Sequence, residues 1–171
     1  MKWMAALALA GLAACSPIAP ASISQNSQAA GQAELAMFEQ RITRDYVDPF
    51  AAGDVERWLL IFDDDVVALH NRMPSMRGKE ALRGFASFVR DNLTVADMSV
   101  TLEGVRREGA LAYTWGTYHS RLLLKPSGEP MPGHSENGKV LFIWKLQKDG
   151  SWKIVLDMGN AIRSETPDQA K

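Results

Sequence analysis

The spacing of apolar residues changes along the chain from a helical repeat to a strand repeat. In its first patterned segment, apolar side chains recur at every third or fourth position: Leu35, Phe38, Ile42 and Tyr46. Charged residues lie between them, so the pattern predicts an amphipathic helix over residues 34–47, which Pro49 ends.

Two shorter helices are predicted after the first one. Gly53 and Asp54 supply a turn and a helix N-cap. A short helical repeat follows them: Val55, Trp58, Leu59 and Phe62. The acidic run 63–65 closes this helix and leads into a strand over residues 66–70. A third helix begins at residues 77–80, and its apolar face contains Leu82, Phe85, Phe88 and Val89.

The second half of the chain alternates between apolar and polar residues, which is the period of a β-strand. Three segments alternate: Met98, Val100, Leu102; then Val140, Phe142, Trp144, Leu146; then Trp152, Ile154, Leu156, Met158. Gly109 and Gly150 lie in compact hairpin turns, and residues 126–137 form a longer loop. The order of elements predicts an α+β fold, with helices packed on one face of an antiparallel sheet.

The β-rich segment 111–124 contains four ring-bearing residues: Tyr113, Trp115, Tyr118 and His119. Packing in the core is the default for such residues. Part of this segment could instead line a pocket or a dimer face, and the sequence leaves these alternatives open.

The N-terminus has the features of a secretory signal. Lys2 precedes an apolar stretch over residues 4–14, which is too short for a membrane span of about 20 residues. Residues 12–15, Leu-Ala-Ala-Cys, resemble the lipobox of bacterial lipoproteins, in which the cysteine is acylated and the preceding peptide is removed. The alternative is an ordinary signal peptide cleaved nearby, with Cys15 incidental. Lipidation would explain a single cysteine, which cannot form a disulfide within the chain.

These observations divide the chain into four parts. Residues 1–14 are a signal peptide and residues 15–32, rich in Ala, Ser and Gln, are a lipidated, flexible tether. Residues 33–164 form one domain, and residues 165–171 a disordered tail. In bacterial lipoproteins Ser16 is typical of the outer membrane, which places the domain in the periplasm. A net charge of -1 without long like-sign runs argues against a nucleic-acid partner.

Three stretches in their order resemble one known family. They are the turn at residues 51–54 before a Trp-containing helix, the helix start at residues 77–82, and the segment 149–154. Together they resemble the nuclear transport factor 2-like superfamily, in particular its SnoaL-like and ketosteroid-isomerase-like branches, over residues 35–162. The resemblance implies a cystatin-like cone, in which a curved sheet wraps a long helix around a mostly apolar pocket. It also implies homodimerisation through the outer face of the sheet.

The resemblance to the ketosteroid isomerases suggests candidate catalytic residues. Those enzymes use a tyrosine and a protonated carboxylic acid as an oxyanion hole, with an aspartate as base. Tyr46 falls at the tyrosine position, His70 replaces the base, and Phe142 replaces the second acid. We expect Tyr46 to donate a hydrogen bond and His70 to act as a base whose pKa burial lowers. Alternatively, Tyr46 packs in the core and His70 merely ends a strand.

Asp157 is a further candidate on which two arguments conflict. Members of the family often carry a polar residue near this position that reaches the pocket. Simple alternation places Ile154, Leu156 and Met158 inward and Asp157 on the opposite face, unless a bulge intervenes. With Asp157 included, the residues expected to line or fill the pocket are Trp58, Phe85, Phe142, Trp144 and Asp157.

The sequence predicts neither a metal nor another cofactor. The acidic run 63–65 is more typical of a solvated turn, and His70, His119 and His134 lack a metal-ligand spacing. We expect the domain to bind a small apolar molecule, with isomerase- or cyclase-like acid–base chemistry by Tyr46 and His70. The alternative is a non-catalytic domain that dimerises or docks on a partner in the cell envelope. An open pocket favours the first function, and a pocket filled by aromatic side chains favours the second.

Overall fold

The computed structural model describes residues 21–134 and 136–162. The predicted signal peptide, Cys15 and the predicted tail 165–171 lie outside the described residues. Within them, no helix is both long enough and apolar enough to cross a membrane.

The N-terminal helix is longer than its apolar pattern. Helix α1 spans Ala21–Arg41, a π-helix continues it over Ile42–Val47, and α2 follows over Asp48–Ala51. The predicted start at residue 34 was therefore wrong, and residues 21–32 of the expected tether are helical. This stretch is rich in alanine and glutamine, which are good helix formers without an apolar pattern. The predicted end at Pro49 was also wrong, because proline is tolerated in the first turn of α2.

The next elements connect the helix to the sheet. Helix α3, Val55–Leu59, begins at the predicted cap, where the Oδ1 of Asp54 accepts a 3.1 Å hydrogen bond from the backbone N–H of Arg57. Strand β1 spans Phe62–His70, so the acidic run 63–65 lies in a strand and not in the predicted turn. An irregularity in the pairing of β1 lies between Phe62 and Val67, and Asp64 and Asp65 stay exposed there.

One six-stranded sheet forms the body of the domain. Strand β2 spans Met76–Arg77 and precedes helix α4, Gly78–Asn92; the remaining strands are β3 Leu93–Glu108, β4 Leu111–Leu124, β5 Asn137–Leu146 and β6 Trp152–Ala161. The strand order is β2-β1-β6-β5-β4-β3. All neighbouring strands are antiparallel except β1 and β6, which are parallel. The sheet is therefore mixed, and the prediction of a purely antiparallel sheet was wrong. The two predicted hairpin turns are confirmed, with Gly109 and Gly150 at positive φ.

Aromatic side chains fill the narrow end of the cone between the first helix and the sheet. Phe38 and Trp144 pack with ring centroids 4.9 Å apart, and Trp58 and Phe62 with centroids 4.7 Å apart. All four side chains are completely buried. This core confirms the predicted α+β cone and leaves the wide end of the cone open.

Candidate functional site

The wide end of the cone contains a cavity of about 430 Å³. Most of its wall is apolar, and helices and strands both contribute: Phe50, Phe85, Met98, Val100, Val140 and Phe142. A few polar side chains face the same space: Tyr46, His70, Tyr118 and Asp157. An apolar cleft with a few convergent polar groups is the usual form of a small-molecule site.

A β-bulge turns Asp157 into this cavity. Ile143 pairs with Leu156 and Trp144 pairs with Ile154, so Val155 is an extra residue in β6. The inward-facing set therefore shifts by one position, from Ile154 before the bulge to Asp157 after it. The expectation that Leu156 and Met158 face inward was wrong for this reason. The alternation holds up to Ile154, and the bulge allowed for from the sequence turns Asp157 inward.

Tyr46, His70 and Asp157 form one hydrogen-bonded group. The Tyr46 hydroxyl donates to Oδ2 of Asp157 over 3.0 Å, and Nε2 of His70 lies 3.2 Å from the same oxygen. Asp157 is only 1% exposed, so both contacts form in a nearly dry environment. Among the described residues, neither Oδ1 of Asp157 nor Nδ1 of His70 has a hydrogen-bond partner. Each of the two residues thus has one polar side-chain atom without a partner among the described residues.

The π-helix supplies Tyr46 to this group. The N–H of Asp48 bonds to the carbonyl of Thr43, five residues back, and Pro49 has no N–H with which to form the next α-type bond. The wider turn places the Tyr46 ring among aromatic neighbours, with centroids 5.4 Å from Phe142 and 5.7 Å from Trp58. Packing on several sides fixes the ring and aims the hydroxyl at Asp157.

His70 reaches the group from the end of β1. This strand runs parallel to β6, and Ala68 pairs with Asp157, while His70 pairs with Gly159. The imidazole meets the Phe85 ring edge to face, with centroids 5.7 Å apart. A helix on one side and a strand on the other therefore hold the imidazole beside the carboxylate.

The electrostatic environment shifts the pKa values of two members of the group. Burial, together with the charge and hydrogen bond of Asp157, raises the pKa of Tyr46 well above its usual value, so the phenol stays protonated. Burial alone lowers the pKa of His70, but the charge of Asp157 and the hydrogen bond to it outweigh burial and raise that pKa. The expectation that burial keeps His70 neutral was wrong, because it did not include the carboxylate.

Two of the expected pocket residues lie elsewhere. Trp58 is completely buried among Tyr46, Phe50 and Phe62 and does not line the cavity. Trp144 is also in the core, where its Nε1 donates a 3.0 Å hydrogen bond to Oγ1 of Thr114. Both belong to the buried aromatic core. Phe85, Phe142 and Asp157 do line the cavity.

Several other residues line the cavity, and of these Tyr118 is one of the ring-bearing residues of segment 111–124 for which the sequence left a pocket position open. Tyr118 and Ser120 face inward from β4, and Arg72 and His134 contribute from the loops at the cavity mouth. Nε2 of His134 lies 3.0 Å from both the hydroxyl and the carbonyl oxygen of Ser120, which ties the β4–β5 loop to β4. The alternation of β4 could have indicated that Tyr118 faces inward, because Thr114, Gly116 and Tyr118 are alternate residues and lie on the same face of the strand.

Within the described part of the chain, no group of three or more His, Cys, Asp or Glu residues could hold a metal ion. The polar group in the cavity contains one imidazole and one carboxylate. Together with the Tyr46 phenol, these groups can donate and accept hydrogen bonds and exchange protons.

Comparison with known proteins gives a consistent result. Residues 43–155 match a family model described as a SnoaL-like domain. A search of curated proteins finds no match. Among solved structures, the chain is similar to a ketosteroid isomerase-like protein from Erwinia carotovora atroseptica, with 21% identity and a TM-score of 0.64; the alignment covers 76% of this chain and 97% of that one.

Two further structures share the fold at lower identity. A nuclear transport factor 2-like superfamily protein from Salmonella enterica serovar Typhimurium is 15% identical, with a TM-score of 0.63 and coverage of 80% of this chain and 96% of that one. A domain of unknown function with a cystatin-like fold from Nostoc punctiforme is 15% identical, with a TM-score of 0.59 and coverage of 78% and 80%. These similarities confirm the fold implied by the sequence resemblance.

Proposed function

This chain belongs to the SnoaL-like domain family, and on that premise we propose that it binds a small, largely apolar molecule and transfers a proton on it. One observation carries the proposal: Tyr46, His70 and Asp157 converge in a mostly apolar cavity. The cavity is open and not filled by Trp58 and Trp144, which favours binding over the non-catalytic alternative.

Asp157 is the base in the proposed reaction. Its Oδ2 is held by Tyr46 and His70, and its Oδ1 takes a proton from a ligand carbon next to a carbonyl group. The electron pair of the broken C–H bond moves towards the carbonyl oxygen and forms an enolate. Return of the proton from Asp157 to the same carbon gives hydrogen exchange; in a ligand with a C=C bond next to that carbon the enolate extends over this bond, and protonation at its far end completes an isomerisation. Tyr46 positions the carboxylate, because its hydroxyl proton is directed at Oδ2.

His70 is the proton donor and not the base that the sequence predicts. Its raised pKa favours the imidazolium, which carries a second N–H at Nδ1 in addition to the one facing Asp157. That N–H can donate to the oxygen on which the enolate charge develops. Donors arranged in advance in a dry site stabilise such charge strongly.

Proton exchange into a simple planar ketone tests this reaction. 2-Tetralone in D₂O exchanges its acidic C–H hydrogens for deuterium, which NMR measures directly. We expect the protein to accelerate this exchange and Asp157→Asn to lower the acceleration about a hundredfold or more, the usual scale for a general base. Asp91→Asn, at an exposed position near the end of α4, is the matched control. Equal rates with the wild-type protein and with Asp157→Asn would overturn the proton-transfer proposal.

Two aligned apolar rows support the proposal of a homodimer. On the outer face of the sheet, cross-strand neighbours form the rows Tyr113, Ile143, Leu156, Val67 and Trp115, Leu141, Met158, Leu69. We refer to these eight residues as the outer apolar face. Its aromatic and aliphatic side chains are partly or largely accessible to solvent, as is typical of a surface that pairs with a second copy.

The proposed location is the periplasmic side of the cell envelope, with Cys15 as a lipid anchor. The proposal is supported by the residues before Cys15 and by the single cysteine of the chain. Several acyl chains on one cysteine would anchor it stably, since each buried methylene contributes about 0.8 kcal/mol.

A further inference from the structure

Two glycines inside strands allow Tyr118 to lie across the inner face of the sheet. A Cβ atom at Gly138 would lie 2.2 Å from Cε1 and 2.3 Å from Cζ of Tyr118, so the tyrosine ring occupies the space above this glycine. A Cβ at Gly159 would lie 3.8 Å from the same Cε1 and 3.9 Å from Cδ2 of His70. Glycine within a strand often marks such a close approach. The ring therefore extends from β4 over β5 towards the imidazole.

The hydroxyl of Tyr118 has no hydrogen-bond partner among the described residues, although the residue lines the cavity. Burial raises the pKa of this phenol, and its proximity also contributes to the raised pKa of Tyr46. The two tyrosines differ in one respect. The Tyr46 hydroxyl is bound to Asp157, whereas the Tyr118 hydroxyl remains protonated and available to a ligand.

Aromatic side chains also border the cavity on the helical side. Phe50 and Phe85 are stacked, with centroids 6.0 Å apart and an interplanar angle of 22°, and Phe88 lies near them on α4. Tyr118 and Phe142 border the cavity on the side of the sheet. Rings on both sides favour a flat ring system as the ligand, because aromatic groups pack well against one another.

We infer that Tyr118 is a ligand-binding residue that donates a hydrogen bond to an oxygen of a planar ring ligand. This inference rests on the proposed function, because it places the ligand in the same cavity. The oxygen bound by Tyr118 is a carbonyl or phenolic oxygen on the side of the cavity formed by β4. Tyr118 thus contributes specificity for oxygen-bearing rings over plain hydrocarbons.

A pair of probes that differ by one hydroxyl isolates this contact. 2-Naphthol and naphthalene have the same ring system, so the ratio of their dissociation constants reports the polar contribution. We expect Tyr118→Phe to weaken 2-naphthol binding about five- to tenfold and to leave naphthalene binding unchanged, as for the loss of one hydrogen bond. Tyr113→Phe, on the outer apolar face, is the matched control and should change neither constant.

A second variant tests the role of the glycines. A Cβ at Gly138 would also lie 2.5 Å from the backbone oxygen of Asn160, so Gly138→Ala displaces both the Tyr118 ring and β6 and should weaken 2-naphthol binding at least as much as Tyr118→Phe, whereas Gly159→Ala leaves room for the ring and should not. Circular dichroism and thermal unfolding verify that each variant is folded. Unchanged 2-naphthol affinity in Tyr118→Phe would overturn the inference, because that substitution removes only the hydroxyl.

The same measurements separate this inference from the proposed function. If Tyr118→Phe weakens 2-naphthol binding but Asp157→Asn leaves the exchange of 2-tetralone unchanged, Tyr118 binds ligand and the proton-transfer proposal fails. If Asp157→Asn stops the exchange and Tyr118→Phe has the affinity of the wild type, the function stands and the inference fails. A wild-type protein that binds neither probe and does not exchange 2-tetralone would overturn both.

Discussion

His70 and Asp157 lie on neighbouring parallel strands, and Nε2 of the imidazole is 3.2 Å from Oδ2 of the carboxylate. The attraction between them raises the pKa of the imidazole although burial acts in the opposite direction. The pair thus links the protonation state of the cavity to the stability of the fold.

The first prediction concerns stability as a function of pH. The folded protein holds the His70 proton more tightly than the unfolded chain does, so the pair stabilises the fold fully below the ordinary histidine pKa of 6.5. This contribution is lost as the pH rises from 6.5 through the higher pKa of the folded state. Urea unfolding from pH 5 to 9 should show a fall in stability for the wild type relative to His70→Gln. A difference between the two proteins that grows with pH would contradict the prediction, and His119→Gln is the matched control.

The second prediction concerns the pKa of His70 itself. Asp157→Asn removes the negative charge but leaves the imidazole buried, so the remaining effect of burial should move the pKa of His70 below its value in the wild type. An NMR titration of the histidine ring resonances measures both values. An unchanged midpoint would mean that the carboxylate does not control the imidazole.

The third prediction concerns the hydroxyl of Tyr46. Tyr46→Phe removes one of the two hydrogen bonds to Oδ2 of Asp157 and leaves the aromatic packing in place. We expect the free energy of unfolding to fall by about 1.5–3 kcal/mol, the range for a hydrogen bond to a charged group. Chemical denaturation measures the change. Tyr113→Phe removes a hydroxyl that has no hydrogen-bond partner among the described residues, so it should stay within about 0.5 kcal/mol of the wild type. An equal loss in both variants would argue against a special role for Tyr46.

The fourth prediction concerns the outer apolar face. We expect the protein to sediment as a dimer at tens of micromolar and Ile143→Lys to sediment as a monomer, because a buried unpaired charge is costly in an interface. Ser99→Lys, on neighbouring β3 and outside this face, should remain dimeric. A wild-type protein that is monomeric at these concentrations would contradict the proposed assembly.

The fifth prediction concerns the N-terminus. Cys15→Ser removes the proposed acylation site, so the protein should leave the membrane fraction and accumulate as an unprocessed or soluble form. Cell fractionation and intact mass spectrometry measure both changes. Cys15 is not a lipid anchor if the variant stays in the membrane fraction and its mass differs from that of the wild type only by the exchange of sulfur for oxygen.

Local patterns in the sequence predicted much of the fold. The helix cap at Asp54, the hairpin turns at Gly109 and Gly150 and the start of α4 depend on a few neighbouring residues, and all are present. The start of α1 was mispredicted because its alanines and glutamines favour a helix without an apolar stripe.

The site was harder to predict because it depends on contacts between distant residues. Asp157 faces the cavity only because the extra residue Val155 shifts the strand by one position. Val155 is flanked by two other apolar residues, Ile154 and Leu156. A bulge can be recognised in a sequence only where the alternation of apolar and polar residues is interrupted, and three consecutive apolar residues show no such alternation. The pKa of His70 is raised by a carboxylate on another strand, so the direction of this pKa shift could not be predicted from burial alone.

The parallel pairing of β1 with β6 also has a consequence for how the domain folds. Tyr46 and Asp157 are 111 positions apart, and the strand that carries Asp157 is the last one of the sheet. The helices and the pairings of the consecutive strands β3 to β6 form from relatively local contacts, whereas β1 can pair with β6 only after a long loop has closed. We therefore expect the cavity to be the last part of the domain to appear during refolding. Binding of 2-naphthol then reports the completed fold, at a stage when the helical signal has already recovered.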